Sequence, residues 1–99
     1  MLKQNFSYQL RQLPVTIMKQ GHKFVAYSPV LDISTTGKSQ KDVQKKFVEL
    51  VTIFLEEIVK AGTANDVLTE LGWKKVQKNW NPPQVVSANT IGVNIPVFA

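Results

Sequence analysis

Leu31 to Asp42 reads LDISTTGKSQKD: a β-like run, a Ser/Thr-rich turn, Gly-Lys-Ser, and then a helix start. Gly-Lys-Ser between a strand and a helix is how a phosphate-binding P-loop ends. The full motif is Gly-x-x-x-x-Gly-Lys-Ser, whose backbone N–H groups wrap the phosphates. Five positions before Gly37 this chain has Asp32, which would face the phosphates with like charge. Ile33, Thr35 and Thr36 are β-branched and unsuited to a tight nest. The stretch therefore reads as a glycine turn followed by Ser39 as a helix N-cap, and no nucleotide site is expected.

The other reactive residue types stand apart. The single histidine, His22, lies between Gly21 and Lys23 in a turn, with no second His, no Cys and no acid beside it. It reads as a solvated turn residue rather than a ligand or general base. Asp32 is the only acid in the β-rich first third and reads as a turn-former. Ser28, Ser34, Thr35 and Thr36 have no partner base, so nucleophilic catalysis has no support. With no cysteine anywhere, disulfides, thiolate metal sites and thiol catalysis are excluded. The expectation is no catalytic residue, no cofactor and no metal. Trp73 and Trp80 stand among Lys74, Lys75 and Lys78 beside Pro82-Pro83. They form either a basic-aromatic surface for RNA or a protein, or a lid on the core.

Ninety-nine residues with 43% hydrophobic content suit one domain over residues 1–99. Such a chain buries about 65% of its unfolded surface. The formal charge is +5, and its placement is uneven: all seven acids lie between Asp32 and Glu70, leaving both ends basic. The N-terminus has no apolar h-region, and no stretch approaches the roughly 18 apolar residues of a membrane span. A cytoplasmic, membrane-free protein is expected.

The elements that must hold these residues follow from periodicity. FSYQL alternates, with Phe6, Tyr8 and Leu10 on one face, and Pro14 then marks an edge, bulge or break. PVTIMK and KFVAYS are β-type runs joined through Gln20-Gly21-His22 as a hairpin, and VLDIST extends the second run or begins a third strand. From Ser39 the period changes. Val43, Phe47, Leu50, Val51, Phe54, Leu55, Ile58 and Val59 make one broad apolar stripe. Ser39 with Asp42 resembles a capping box, and Gly62 is a left-handed stop, giving a helix of about 22 residues. Thr63 caps a short second helix that Gly72 closes. In the tail, residues 73–99, Ile91, Val93, Ile95 and Val97 alternate as a last strand. The fold class is α/β in the α+β sense: an antiparallel sheet of three to four strands packed by one long and one short helix.

The residues Gly21, Phe24, Val25, Ala26, Pro29, Leu31, Gly37, Ser39, Val43, Leu50, Phe54, Leu55 and Glu56, in that order and spacing, resemble the N-terminal domain of the HicB family of antitoxins. The matching core covers about residues 13–62. The resemblance implies a degenerate ribonuclease-H-like domain that binds and blocks a small HicA-type mRNA-cleaving toxin, assembled as a homodimer or higher homo-oligomer. An active ribonuclease-H site begins with a first-strand carboxylate on a metal pair, and PVTIMKQ supplies none. No helix-turn-helix or ribbon-helix-helix module is legible after Gly72, so direct DNA binding is not expected. Turns and tails are where partners are met, which nominates Asp32, Ser34, Thr36, Lys38 and Trp80 as partner-binding residues. The alternative is an orphan HicB-like domain that binds RNA or another protein through its basic-aromatic tail.

Overall fold

The computed structural model describes residues 8–97. Three strands, β1 (Thr16–Gln20), β2 (Lys23–Ser28) and β3 (Ile33–Gly37), form an antiparallel sheet in the order β1-β2-β3. Helices α1 (Gln40–Lys60) and α2 (Ala64–Glu70) follow, and then a two-stranded hairpin of β4 (Lys74–Val76) and β5 (Asn79–Asn81).

The β1–β2 hairpin turns through Gly21-His22. Positive φ (59°) falls on the first of these two residues, as a type II′ turn requires. Ile17, Ala26 and Thr35 are in register across the sheet, and with Phe24, Ser28 and Ile33 they line the face toward α1. Thr16, Tyr27 and Ser34 form one row of the opposite face, and Met18, Val25 and Thr36 the next. VLDIST thus divides: Val30 and Leu31 turn inward at 3% exposure each, and the third strand begins only at Ile33.

Ser39 caps α1 with extended backbone, its Oγ accepting from the Asp42 N–H at 3.0 Å. The return bond differs from a capping box. Asp42 Oδ2 accepts from the N–H of Lys38, one residue before the cap, at 2.8 Å. That bond, helped by Lys46 at 3.3 Å, holds the Asp42 carboxyl below its ordinary range. The apolar stripe is narrower than the spacing suggests. Val43, Phe47, Val51 and Ile58 are buried, Phe54 and Leu55 are half-buried, and Leu50 and Val59 at the margins are exposed. One helix covers only a narrow strip of a three-stranded sheet, so the margins of the stripe face water.

Both helices end in a Schellman motif. After α1, Gly62 (φ 72°) donates to Val59 O and Thr63 to Ile58 O; after α2, Gly72 (φ 92°) donates to Thr69 O and Trp73 to Leu68 O. Thr63 does not cap α2 with its side chain. Its backbone (φ −106°, ψ 3°) is not extended, and its hydroxyl turns back toward Ile58 O at 3.4 Å. The core gathers Ala26, Val30, Leu31, Val43, Phe47, Val51, Ile58, Leu68 and Trp73.

The end of β3 lies against the first turn of α1. A Cβ on Gly37 would stand 2.7 Å from the Val43 nitrogen and 2.8 Å from its Cα, both backbone. Gly37→Ala should therefore cost about 1–3 kcal/mol through displacement of the helix start. Comparison of its urea midpoint with that of wild type measures this, and an unshifted midpoint would contradict the close approach.

Two strand expectations are corrected. Residues 8–15 are not a strand: Tyr8 is bonded to Glu56, Arg11 to the β5 strand, and β1 starts only after Pro14. Phe6 lies outside the described residues. In the tail, a short β4–β5 hairpin precedes Pro82, while residues 82–97, where the last strand is expected, contain none; Phe98 lies outside the described residues. Alternation supplies a side-chain pattern, but a strand also needs a neighbour to bond, and residues 82–97 have none among the described residues.

Candidate functional site

The nominated residues fall on two surfaces. Asp32 sits in the β2–β3 turn with a left-handed backbone (φ 54°), a conformation that Asp tolerates better than most residues. Its Oδ1 accepts a hydrogen bond from the Tyr27 hydroxyl at 3.1 Å. That bond to a carboxylate raises the Tyr27 pKa above its ordinary value, so the phenol remains a donor. Ser34 and Thr36 follow on β3, exposed on the same outer face as Tyr27 and Met18. Tyr27 is 39% exposed and Met18 56%. The result is an open sheet face with a Tyr-Met centre, a hydroxyl row on one side, and Asp32 and Lys38 near its two ends. Among the described residues nothing packs on this face as α1 packs on the other.

Thr36 and Lys38 also border a cleft of about 240 Å³ with His22, Lys23, Gly37 and Lys46. The hairpin turn and the start of α1 meet there, which brings His22 among cations rather than acids. Lys46 is already committed to Asp42. Ser28 is fully buried, and its hydroxyl finds no hydrogen-bond partner among the described residues. No base approaches it, and it does not form a nucleophile pair. Among the described residues no group of three or more His, Asp or Glu is placed to hold a metal ion.

Trp80 belongs to a second surface. It lines a groove of about 440 Å³ with Leu10, Leu13, Leu55, Val59 and Trp73. The extended segment before β1 forms one wall. Arg11 ties it to the hairpin through Trp80 O (3.2 Å) and Asn81 Oδ1 (2.9 Å), and the Tyr8 hydroxyl ties it to Glu56. The bond to Glu56 raises the Tyr8 pKa. The Lys75 ammonium lies 5.9 Å from the centre of the Trp80 ring. Trp80 and the Asp32–Lys38 segment, which is β3 and its flanking residues, share neither pocket. The two tryptophans have different fates. Trp73 is the core lid, 7% exposed, its indole N–H donating to Val30 O at 2.7 Å; Trp80 is half-buried at the groove edge.

No family model, no curated protein and no solved structure matches this chain. Its function is therefore argued from its own geometry and motifs.

Among the described residues no helix is long and apolar enough to cross a membrane. Met18 is a surface residue that sequence reasoning passed over, whereas Tyr27, whose place in the run suggests core or sheet, is in the sheet but on its outer face. KFVAYS is apolar at Val25 and Tyr27 on one face as well as at Phe24 and Ala26 on the other, so alternation did not say which face the helix would cover. The wall formed by Leu10 and Arg11 had no local signal, because Arg11 meets Asn81 across 70 positions of chain.

Proposed function

We propose that this chain is a non-enzymatic, antitoxin-like binding protein of the HicB type, which holds a HicA-type mRNA interferase with its active site covered. The observation that carries the reading is the open outer face of the β1-β2-β3 sheet. It combines a partly exposed aromatic and a flexible Met with a polar border of Ser34, Thr36, Lys38 and Asp32. Such a patch suits a protein partner: apolar anchors at the centre, hydrogen-bonding groups at the rim. The HicB-like residues support it from a second side. Gly21 turns the hairpin, Pro29 and Leu31 shape the β2–β3 turn, and Gly37 and Ser39 make the strand-to-helix junction. The order β-β-β-α agrees with the degenerate ribonuclease-H-like fold that the resemblance implies.

A basic toxin would meet a chain of charge +5. Asp32 is the acid on the proposed face, and Glu56, Glu57 and Glu70 are the other candidates. Long-range steering would be weak, and association slower than for an acidic antitoxin.

The test is co-expression with the product of the adjacent small open reading frame. The toxin should co-purify and its growth inhibition should be relieved, and Tyr27→Ala should weaken both effects while leaving the fold intact. Failure to co-purify, with growth inhibition unchanged, would refute the antitoxin reading. A second reading then takes precedence. Lys74, Lys75 and Lys78 are exposed on the same hairpin as the half-buried Trp80, a basic-aromatic surface for RNA or another protein.

A further inference from the structure

We infer that residues 90–97 form a strand that adds to the free edge of β3 in a second copy of this chain, making a reciprocal strand-exchanged dimer. Ile91, Val93, Ile95 and Val97 alternate at period two, the pattern of a strand with one buried face. Yet they are 81%, 73%, 74% and 98% exposed. As a strand, this uncharged segment would put four branched apolar side chains on one face, a surface that marks an interaction site rather than scattered surface residues.

The segment stands off its own body. Every residue from 84 to 97 is exposed. The chain measures 62 × 29 × 22 Å with a radius of gyration of 16.9 Å, against about 13 Å for a compact chain of this length. The departure direction is stiffened by Pro82-Pro83, and Pro83 lies 3.3 Å from where a Cβ on Gly72 would stand. A strand aimed away from its own sheet finds an edge on another molecule.

The two sheet edges differ as acceptors. β1 carries Lys19 and is entered just after Pro14, two of the devices that discourage edge pairing. β3, ISTTG, has neither charge nor proline and is β-branched at Ile33, Thr35 and Thr36. The tail is uncharged as well, so no charge opposes its addition. An eight-residue strand spans about 26 Å, enough to pair the whole of β3.

The helix beside that edge has apolar surface to offer. On the helical wheel, Leu50 (37% exposed) and Ile53 (57%) lie across the buried stripe from Leu55 and Val59. The 8–13 segment that leads into β1 lines the groove on the Leu55–Val59 flank. Leu50 and Ile53 lie on the opposite flank of the helix, away from the segment that leads into β1. An added strand with its Ile/Val face turned toward α1 would cover them.

Pro96 fits the same pairing. Backbone N–H groups of a strand point alternately to its two sides. If residues 91, 93, 95 and 97 donate to β3, Pro96 lacks only a donor that would face outward. The docked strand then has a blunted outer edge, which stops further addition at the dimer. The interface uses backbone at the edge and the inner face, leaving the outer face of the sheet free. It does not depend on the toxin reading.

The experiment is the solution mass of the full chain and of two proline variants. Wild type should sediment at twice 11.1 kDa. Val93→Pro removes a donor aimed at β3 and should give a monomer. Asn94→Pro removes only an outward donor and should stay dimeric. Both variants should keep the wild-type helical signal in the far ultraviolet, since the tail adds nothing to the protomer's own core, and Val93→Pro should lose only the contribution of the docked strand. A monomeric wild type, a dimer that Val93→Pro leaves intact, or equal loss in both variants would overturn the proposal.

Discussion

Trp73→Ala should lower the free energy of unfolding by about 3–5 kcal/mol, the range for removal of a large aromatic from a core. A domain of this size has about 5–15 kcal/mol in total, so the variant should be near the limit of folding. Two effects combine in it. Trp73 is 7% exposed and packs with Leu68, Val30 and Leu31 inside the core. Its indole N–H also satisfies the buried carbonyl of Val30, 43 positions away, at 2.7 Å. Trp73→Phe separates the two, since it keeps much of the apolar volume and removes only the donor. It should cost about 1–3 kcal/mol, the penalty of leaving a buried acceptor unpaired. Urea midpoints measure both, and a Trp73→Ala midpoint equal to wild type would show that the chain after α2 does not close the core. The same bond ties the C-terminal part of the chain to the β2–β3 turn. Loss of Trp73 should therefore also loosen the backbone around Asp32 and weaken any partner bound there.

Phe47→Ala should be comparably damaging, at about 3–5 kcal/mol, because Phe47 is 5% exposed and lies on the buried stripe of α1 facing the sheet. Phe54 belongs to the same sequence stripe but is only half-buried. Its truncation should cost clearly less, since part of its surface is already in water. Phe47→Leu preserves most of the volume and should cost under about 1.5 kcal/mol. Equal losses at Phe47 and Phe54 would mean that the helix is rotated from the orientation described here.

Local features were the most legible part of this chain. The Gly21 turn, the Ser39 cap, the Gly62 and Gly72 stops and the change from period two to period three-and-four were all readable, because each depends on residues within a turn or two of one another. The P-loop fragment was correctly read as carrying a helix cap at Ser39, but not as a turn: Ser34, Thr35, Thr36 and Gly37 belong to β3, and Gly37 is there for its missing Cβ against Val43. Errors gathered where a choice depended on distant chain. Thr63 has a capping residue's chemistry, but the Schellman turn ahead of it fixed a backbone from which it cannot cap. Of the candidate binding residues, Asp32, Ser34, Thr36 and Lys38 lie along β3 and its two ends, whereas Trp80 lies on a separate groove.

By itself the sequence determined the β1–β2 hairpin turn and the two helices with their stops, since stops and hairpin turns are short-range steric and hydrogen-bonding events. It also determined the uneven charge and the lack of thiol chemistry, which are composition. Tertiary structure decided which of two similar sheet faces α1 covers and which tryptophan is core. It also decided that the alternating tail pairs with no strand among the described residues. Each of these depends on burial, and burial is a property of what else arrives in space: Val25 and Tyr27 are as apolar as Phe24 and Ala26, and Trp73 differs from Trp80 only in having Val30 within reach.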